Sequence, residues 1–374
     1  MACTDKTATV TDEASGGGAT TIFAVHPDII QTHILTCLDG RALASVASTC
    51  SQLHALSDHE PLWENICHST WPSTNSPRVR HVISTFPCAS RSFFSDSFPS
   101  FAVREGSNID RAPELISAVD IFHRRRVVLS RVVETETESG WFRCSPFRID
   151  VLDQKEAVAT AMEYPLSDGA CEILGEDLRL SWIVVNPKGK RAVNVSSGTA
   201  VSVERHWLSG EVKVRFATVV DGGERGTPAE VALCSVTVTF GNEMQVREAC
   251  LQMEDMDGMF LNGRESLGIL KRALEGKRGT LLKDGKEEGR SRYLEFMNRK
   301  MERKEKKQRD ERRLDMLCLA LAMASMFLGG LDTILDPSLL LAPSFVGSLI
   351  CIGDVESDFL PQRCGKNNQP LVQS

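Results

Sequence analysis

Two apolar rhythms divide the chain. From Ile22 to Ile66 apolar residues recur at helical spacing: Ile30, Ile34 and Leu38 stand four apart, and Leu43, Val46 with Ala47, Cys50 and Leu53 follow three or four apart. This spacing predicts two or three short amphipathic helices, with Pro27 in the first turn, where its missing N–H costs nothing, and Asp39-Gly40 as a turn between helices. From about Val127 to Met253 the period shortens to two. Leu178, Leu180, Trp182 and Val184 alternate with polar or smaller neighbours, as do Val193 and Val195, Val201 and Val203, Val212, Val214 and Phe216, and Val236, Val238 and Phe240. Asn186-Pro187-Lys188-Gly189, Ser209-Gly210 and Asp221-Gly222-Gly223 supply turns between them. Roughly seven such strands predict an antiparallel sandwich or strongly bent sheet.

Residues 67–126 read as a connector punctuated by Trp71-Pro72, Pro77, Phe86-Pro87 and Phe98-Pro99, with one helix near residues 78–85 and with aromatics that pack against a neighbour. Beyond the strands, Phe260, Leu267, Leu270 and Leu274 fit one amphipathic helix able to cover a sheet edge, closing a β-rich region that runs from 127 to 276. Gly276, Gly279, Gly285 and Gly289 mark a flexible exit. Residues 286–313 predict a charged helix, with nine Lys/Arg against four Asp/Glu between Asn298 and Arg313. It leads into 314–374, an apolar segment and tail, in which residues 316–331 carry no charge. As a helix that uncharged run would span about 24 Å against the roughly 30 Å of a hydrocarbon core, which makes it a marginal membrane anchor through 314–331. Residues 1–21, polar and glycine-bearing, are expected to be a disordered leader. The fold class expected is therefore α+β: a small N-terminal helical module, an antiparallel β-sandwich-like domain, then a charged helix and an apolar C-terminal segment.

Composition narrows the function. With 43 Lys+Arg against 50 Asp+Glu in 374 residues the net charge is −7, so the molecule is no general polyanion binder. Twelve cysteines lie at irregular intervals with no C-x-x-C, the pattern of reduced thiols in a cytoplasmic or nuclear chain rather than of a zinc site. The start carries no basic flank before an apolar core, so a secretory signal is not expected. Gly16-Gly17-Gly18 lacks the Lys-Ser/Thr of a phosphate loop. Glu254 to Gly258 echoes a calcium loop, but Met253 stands at the first ligand position. Asn194-Val195-Ser196 fits the glycosylation tripeptide but lies in an expected strand. No His pair of metal-binding spacing and no nucleophile elbow is present, so catalytic residues, metal and cofactor are all expected to be none. Around 299–313 Glu302 and Glu305 interleave with the cations and no aromatic offers a stacking platform, so a solvated helical face or electrostatic anchoring is expected there, not nucleic-acid readout.

Val25-His26-Pro27-Asp28, Ile34-Leu35, Leu38, Leu43, Val46-Ala47, Cys50, Leu53 and Leu62-Trp63 stand in the order and spacing of an F-box, and residues 22–66 resemble that module. The stretch that follows, with Thr70-Trp71-Pro72-Ser73 and Arg91-Ser92-Phe93-Phe94, looks like a plant F-box subfamily with a β-rich C-terminal region. His26 stands where the family usually has Leu, and Ser51 where it often has Trp or Arg. The resemblance implies a substrate-recognition subunit of a Skp-cullin-F-box ubiquitin ligase. Its partners would be a Skp-type adaptor, through it a cullin, and an unknown target protein held by the β domain. It implies that Pro27, Ile34, Leu35, Leu38, Leu43, Val46, Cys50, Leu53 and Trp63 bind the adaptor, and that the chain has no chemistry of its own. Two other readings stay open on the residues alone: a membrane-associated interaction protein acting through the basic helix and apolar segment, and a hydrolase or transferase seated among the strands.

Overall fold

In the computed structural model, which describes residues 25–102, 113–223, 227–278 and 283–335, the helical period of the N-terminal stretch becomes a run of short helices. These are α1 (Pro27–Ile29), α2 (Gly40–Ala47), α3 (Ser51–Ser57), α4 (Glu60–Thr70), α5 (Pro77–Ser84) and α6 (Ala89–Asp96). Several starts have a local cause. The Asp39 side chain accepts the Ala42 N–H at 2.8 Å to cap α2, and Pro61 and Pro77 sit in the first turns of α4 and α5. Gly40 serves packing as well as turning, since a Cβ there would fall 2.2 Å from the Phe94 ring.

The strands follow as β1 (Ser100–Ala102), β2 (Glu114–His123), β3 (Arg126–Glu136), β4 (Arg148–Asp150), β5 (Leu178–Asn186), β6 (Arg191–Asn194), β7 (Ser202–Arg205), β8 (Val212–Asp221), β9 (Val231–Phe240), β10 (Val246–Glu254) and β11 (Lys277–Arg278). Helix α7 (Gly140–Cys144) precedes β4, α8 (Asp168–Asp177) precedes β5, and α9 (Gly263–Glu275) follows β10. One antiparallel sheet has the order β3-β2-β5-β6, a second β4-β10-β9-β8-β7, and β1 pairs with β11. Alternate residues of both large sheets meet in one core. Leu115, Val119 and Ile121 of β2 and Leu178, Leu180, Trp182 and Val184 of β5 face Val212, Val214 and Phe216 of β8 and Val236, Val238 and Phe240 of β9. The mixed α+β class with an antiparallel sandwich is thus realised.

Three elements depart from the sequence expectation. β2 lies within the stretch read as connector, so the sheet begins at Glu114 rather than near 127. Its other face, Ile116 and Ala118, packs on Trp71, Phe93 and Phe94 of the helical module, together with Ile183 and Val185 of β5. A strand buried on both faces shows no alternation, which hid it. The same stretch holds α6 as well as the expected α5, and its aromatics do pack, Trp71 lying 6.1 Å from Phe93 and 5.5 Å from Phe94. Phe260 is exposed and outside α9, because the reciprocal Asn262–Glu265 capping box starts that helix later.

The junction of helices and sheet carries a buried acid. Asp120 of β2 accepts the Ser73 N–H at 2.9 Å, the Ser73 hydroxyl at 2.5 Å and the Ser130 hydroxyl at 2.7 Å. Burial raises its pKa from the ordinary Asp value, against the lowering effect of those three bonds. On the solvent side of the second sheet, Phe296 of helix α10 (Lys283–Leu335) covers Ala217, Leu233 and Met256, and Lys300 and Arg303 pair with Glu254 and Asp257 at 3.1 Å each.

Two compact units divide the chain at Arg309/Asp310, within α10. In the second unit Leu314, Leu317, Leu321 and Met326 are exposed. No helix among the described residues is long and apolar enough to cross a membrane. The anchor expected through 314–331 therefore finds no support: Asp315 and Asp332 bound an uncharged run too short to span. The leader 1–21 and the tail beyond 335 lie outside the described residues.

Candidate functional site: the N-terminal helical module

The first turns of the module do not follow one helical repeat. After α1 the backbone makes a π-helical turn over Ile30–Ile34, in which the Leu35 N–H reaches back to the Ile30 carbonyl, and then a 3₁₀ turn over Leu35–Cys37. A π turn closes on the fifth residue rather than the fourth. The interior position after Ile30 is consequently Leu35: Ile30 and Leu35 are buried, while Ile34 is 36% exposed and Ile29 49% exposed. The four-residue series Ile30, Ile34, Leu38 read from the sequence is split by this turn, one member inside, one outside and one half-buried.

The nine residues implied as adaptor contacts divide accordingly. Leu35, Leu43, Leu53 and Trp63 are buried in one cluster with Ile30, Leu62 and Phe94. Trp63 is further held by its indole N–H, which donates to the Ser57 carbonyl at 2.8 Å, and by a tilted ring contact with Phe94, 5.5 Å between centroids. Leu38, Val46 and Cys50 are half-buried against the cluster, and the Cys50 sulfur accepts the Leu53 N–H at 3.4 Å to cap α3. Pro27 and Ile34 are exposed. Ile29, outside those nine, is exposed as well and stands one residue before the π turn.

The two departures from the family pattern have local explanations. The His26 ring accepts the Asp28 N–H at 3.3 Å and so caps α1, a polar role in place of an apolar one. Ser51 opens α3 and faces solvent.

Chemistry is sparse elsewhere. Among the described residues Asp150, Glu248 and Cys250 form the group whose ligand atoms come close enough to hold a metal. Arg148 already occupies it, donating to both Asp150 oxygens at 2.7 to 2.9 Å and to Glu248 at 2.7 Å. Burial pushes the Cys250 thiol up to about 12, and Arg148, the next cause, opposes the shift without reversing it. A protonated thiol beside a guanidinium is a poor metal ligand. The arrangement is an ion cluster that ties β4 to β10.

The F-box-like family model matches residues 27–69, the stretch from α1 to near the end of α4. The chain is 43% identical over 320 residues to F-box protein At2g27310 of Arabidopsis thaliana, covering 82% of this chain and 94% of that one. It is 42% identical over 332 residues to F-box protein At3g44326, covering 85% and 91%, and 46% identical over 313 residues to Probable F-box protein At2g36090, covering 82% and 92%, both also from Arabidopsis thaliana. Likeness of that length runs through the sandwich as well as the helices. The chain belongs to the F-box proteins, a class of ubiquitin-ligase substrate-recognition adaptors whose F-box domain generally binds a Skp-type adaptor and which are generally non-catalytic. No solved structure matches it.

Proposed function

We propose that the chain is the substrate-recognition subunit of a Skp-cullin-F-box ubiquitin ligase. Residues 27–69 would engage the Skp-type adaptor and through it the cullin. The sandwich from 114 to 276 would hold the target. Such a protein accelerates ubiquitin transfer by proximity: tethering raises the effective concentration of target lysines near the conjugating enzyme and needs no catalytic group of its own. The reading places the protein in the cytoplasm or nucleus, where the ligase and reduced thiols coexist.

The observation that carries it is a family match lying on a module whose interior is filled yet which leaves Pro27, Ile29 and Ile34 exposed and Leu38 and Val46 half-buried. Exposed apolar residues on a helical surface suit insertion into a partner's groove. On this reading Leu35, Leu43, Leu53 and Trp63 shape the module, and Pro27, Ile29, Ile34, Leu38 and Val46 make the contact. The test is binding of purified Skp-type adaptor to the full chain. Ile34→Asp, which puts a charge in a dry contact, should weaken binding by at least about tenfold with unfolding unchanged, while His81→Asp, on the solvent face of α5, should bind as wild type. Wild-type affinity in both Ile29→Asp and Ile34→Asp would overturn the assignment.

A further inference from the structure

A cavity of about 540 Å³ opens beside α9, where β2 begins and β3 and β5 end. Leu115 of β2 and Leu267, Leu270 and Leu274 of α9 give it an apolar floor. Around that floor stand Arg143 of α7 and Arg264 and Lys271 of α9, and no carboxylate lines it among the described residues. Arg143 donates to the Thr137 carbonyl at 3.3 Å and lies in the field of Glu136, which the Glu138 and Ser139 amides hold in place. The side chains of Arg264 and Lys271, two helical turns apart on one face of α9, form no ion pair or hydrogen bond among the described residues.

Two glycines set the geometry, in opposite ways. At Gly263 a Cβ would fall 2.1 Å from the Phe142 carbonyl oxygen, so glycine is what lets the start of α9 abut α7 and brings Arg143 beside Arg264. At Gly268, in the middle of α9, a Cβ would meet nothing within 4 Å. Glycine is unfavourable inside a helix, and here no close approach demands it. Its effect is to keep the cavity open, since Gly268 is part of the lining. Cavities of roughly 300 to 1,000 Å³ with an apolar floor and a few convergent polar groups are the usual form of binding sites.

We propose that this cavity reads the target: it takes an acidic, apolar peptide segment, seating a large apolar side chain on the leucine floor and a neighbouring carboxylate between Arg264 and Lys271. The proposal rests on the adaptor reading for the nature of its ligand. Charge complementarity favours the anion, because Arg264, exposed at the rim, and Lys271, half-buried beside the floor, attract a carboxylate and repel a basic segment. Volume selects one or two side chains rather than a folded surface.

The experiment pans a displayed random-peptide library on the full chain bound to its adaptor. It uses wild type, the Arg264→Glu/Lys271→Glu double variant and Gly268→Leu, which fills the cavity where space is free. Peptides enriched about tenfold or more on wild type should place Asp or Glu within two positions of Leu, Ile, Met or Phe, and should lose that enrichment on both variants. Enriched peptides without an acid, enrichment that survives both variants, or no enrichment would overturn the proposal. Thermal unfolding of all three proteins is measured alongside, with octanoate and with octanol as probes. Stabilisation of wild type by octanoate but not octanol, with no peptide enriched, would assign the cavity to a free organic acid instead of a target peptide. Adaptor binding is read on the same samples and should be unchanged in both variants. Loss of adaptor binding in wild type overturns the adaptor reading, whereas loss of peptide selection alone overturns the cavity assignment.

Discussion

Replacing Asp120 tests the seam between the helical module and the sandwich. Its carboxylate is fully buried and accepts one amide and two hydroxyls, and the Ser73 pair bridges residues 47 apart in sequence. Asp120→Ala leaves the Ser73 N–H without an acceptor in a dry site, which costs about 1 to 3 kcal/mol, and removes two hydroxyl bonds to an ionised group, nominally about 1.5 to 3 kcal/mol each. Relief of the buried charge offsets part of this, so the expected loss is about 3 kcal/mol, read from urea unfolding followed by tryptophan fluorescence. Asp120→Asn keeps one oxygen for the Ser73 amide and Ser130 and can donate to the Ser73 hydroxyl, so it should stay within about 1 kcal/mol of wild type. The pH dependence separates the two effects. The folded pKa is raised above the unfolded one, so between those values the folded state binds more protons, and stability falls as pH rises through the folded pKa. Wild type should therefore gain on Asp120→Asn as the pH is lowered from about 7 towards the ordinary Asp range. Equal stability of wild type and Asp120→Ala, or an Asn variant as damaged as the Ala variant, would refute the reasoning.

Gly263→Ala drives a Cβ into the Phe142 carbonyl and should cost about 1 to 3 kcal/mol, while Gly268→Ala, with open space and a better helix former, should gain about 0.5 to 1 kcal/mol in the same urea series. Phe296→Ala uncovers Ala217, Leu233 and Met256 and should cost about 3 kcal/mol, with faster amide exchange at residues 290–303 as the readout. Burial pushes the thiols of Cys234 and Cys250 up to about 12 and that of Cys67 upward as well, so iodoacetamide at neutral pH should label Cys37, Cys88, Cys144 and Cys318 and spare those three until the chain unfolds, as peptide mass spectrometry will show.

The parts legible in the sequence are those whose signal is local. Leu43, Ala47 and Leu53 face the core because of their spacing, and the strands carrying Trp182, Phe216 and Val236 announce themselves by alternation. β2 escaped because helices cover the sheet face that solvent would otherwise have reached, and a strand covered twice has no polar side to alternate. For the module, spacing selected the right stretch but did not separate Ile34 outside from Leu35 inside, because that depends on the turn closing on the fifth residue rather than the fourth.

Periodicity, turn chemistry and the order of motif residues were enough for the α+β class, the helical module at the start and the family, because each is set within a few residues by backbone geometry and the partition of apolar groups. Tertiary structure alone decided which apolar residues became core and which stayed outside, with Leu35 inward and Ile34 outward. It likewise joined Ser73 to Asp120, laid Phe296 over the second sheet, and gathered Arg143, Arg264, Lys271 and Leu115 around one cavity. These groups lie tens to more than a hundred residues apart, and no local rule links them. Their meeting depends on how the two sheets, the helices on the first sheet and α9 pack together as one body.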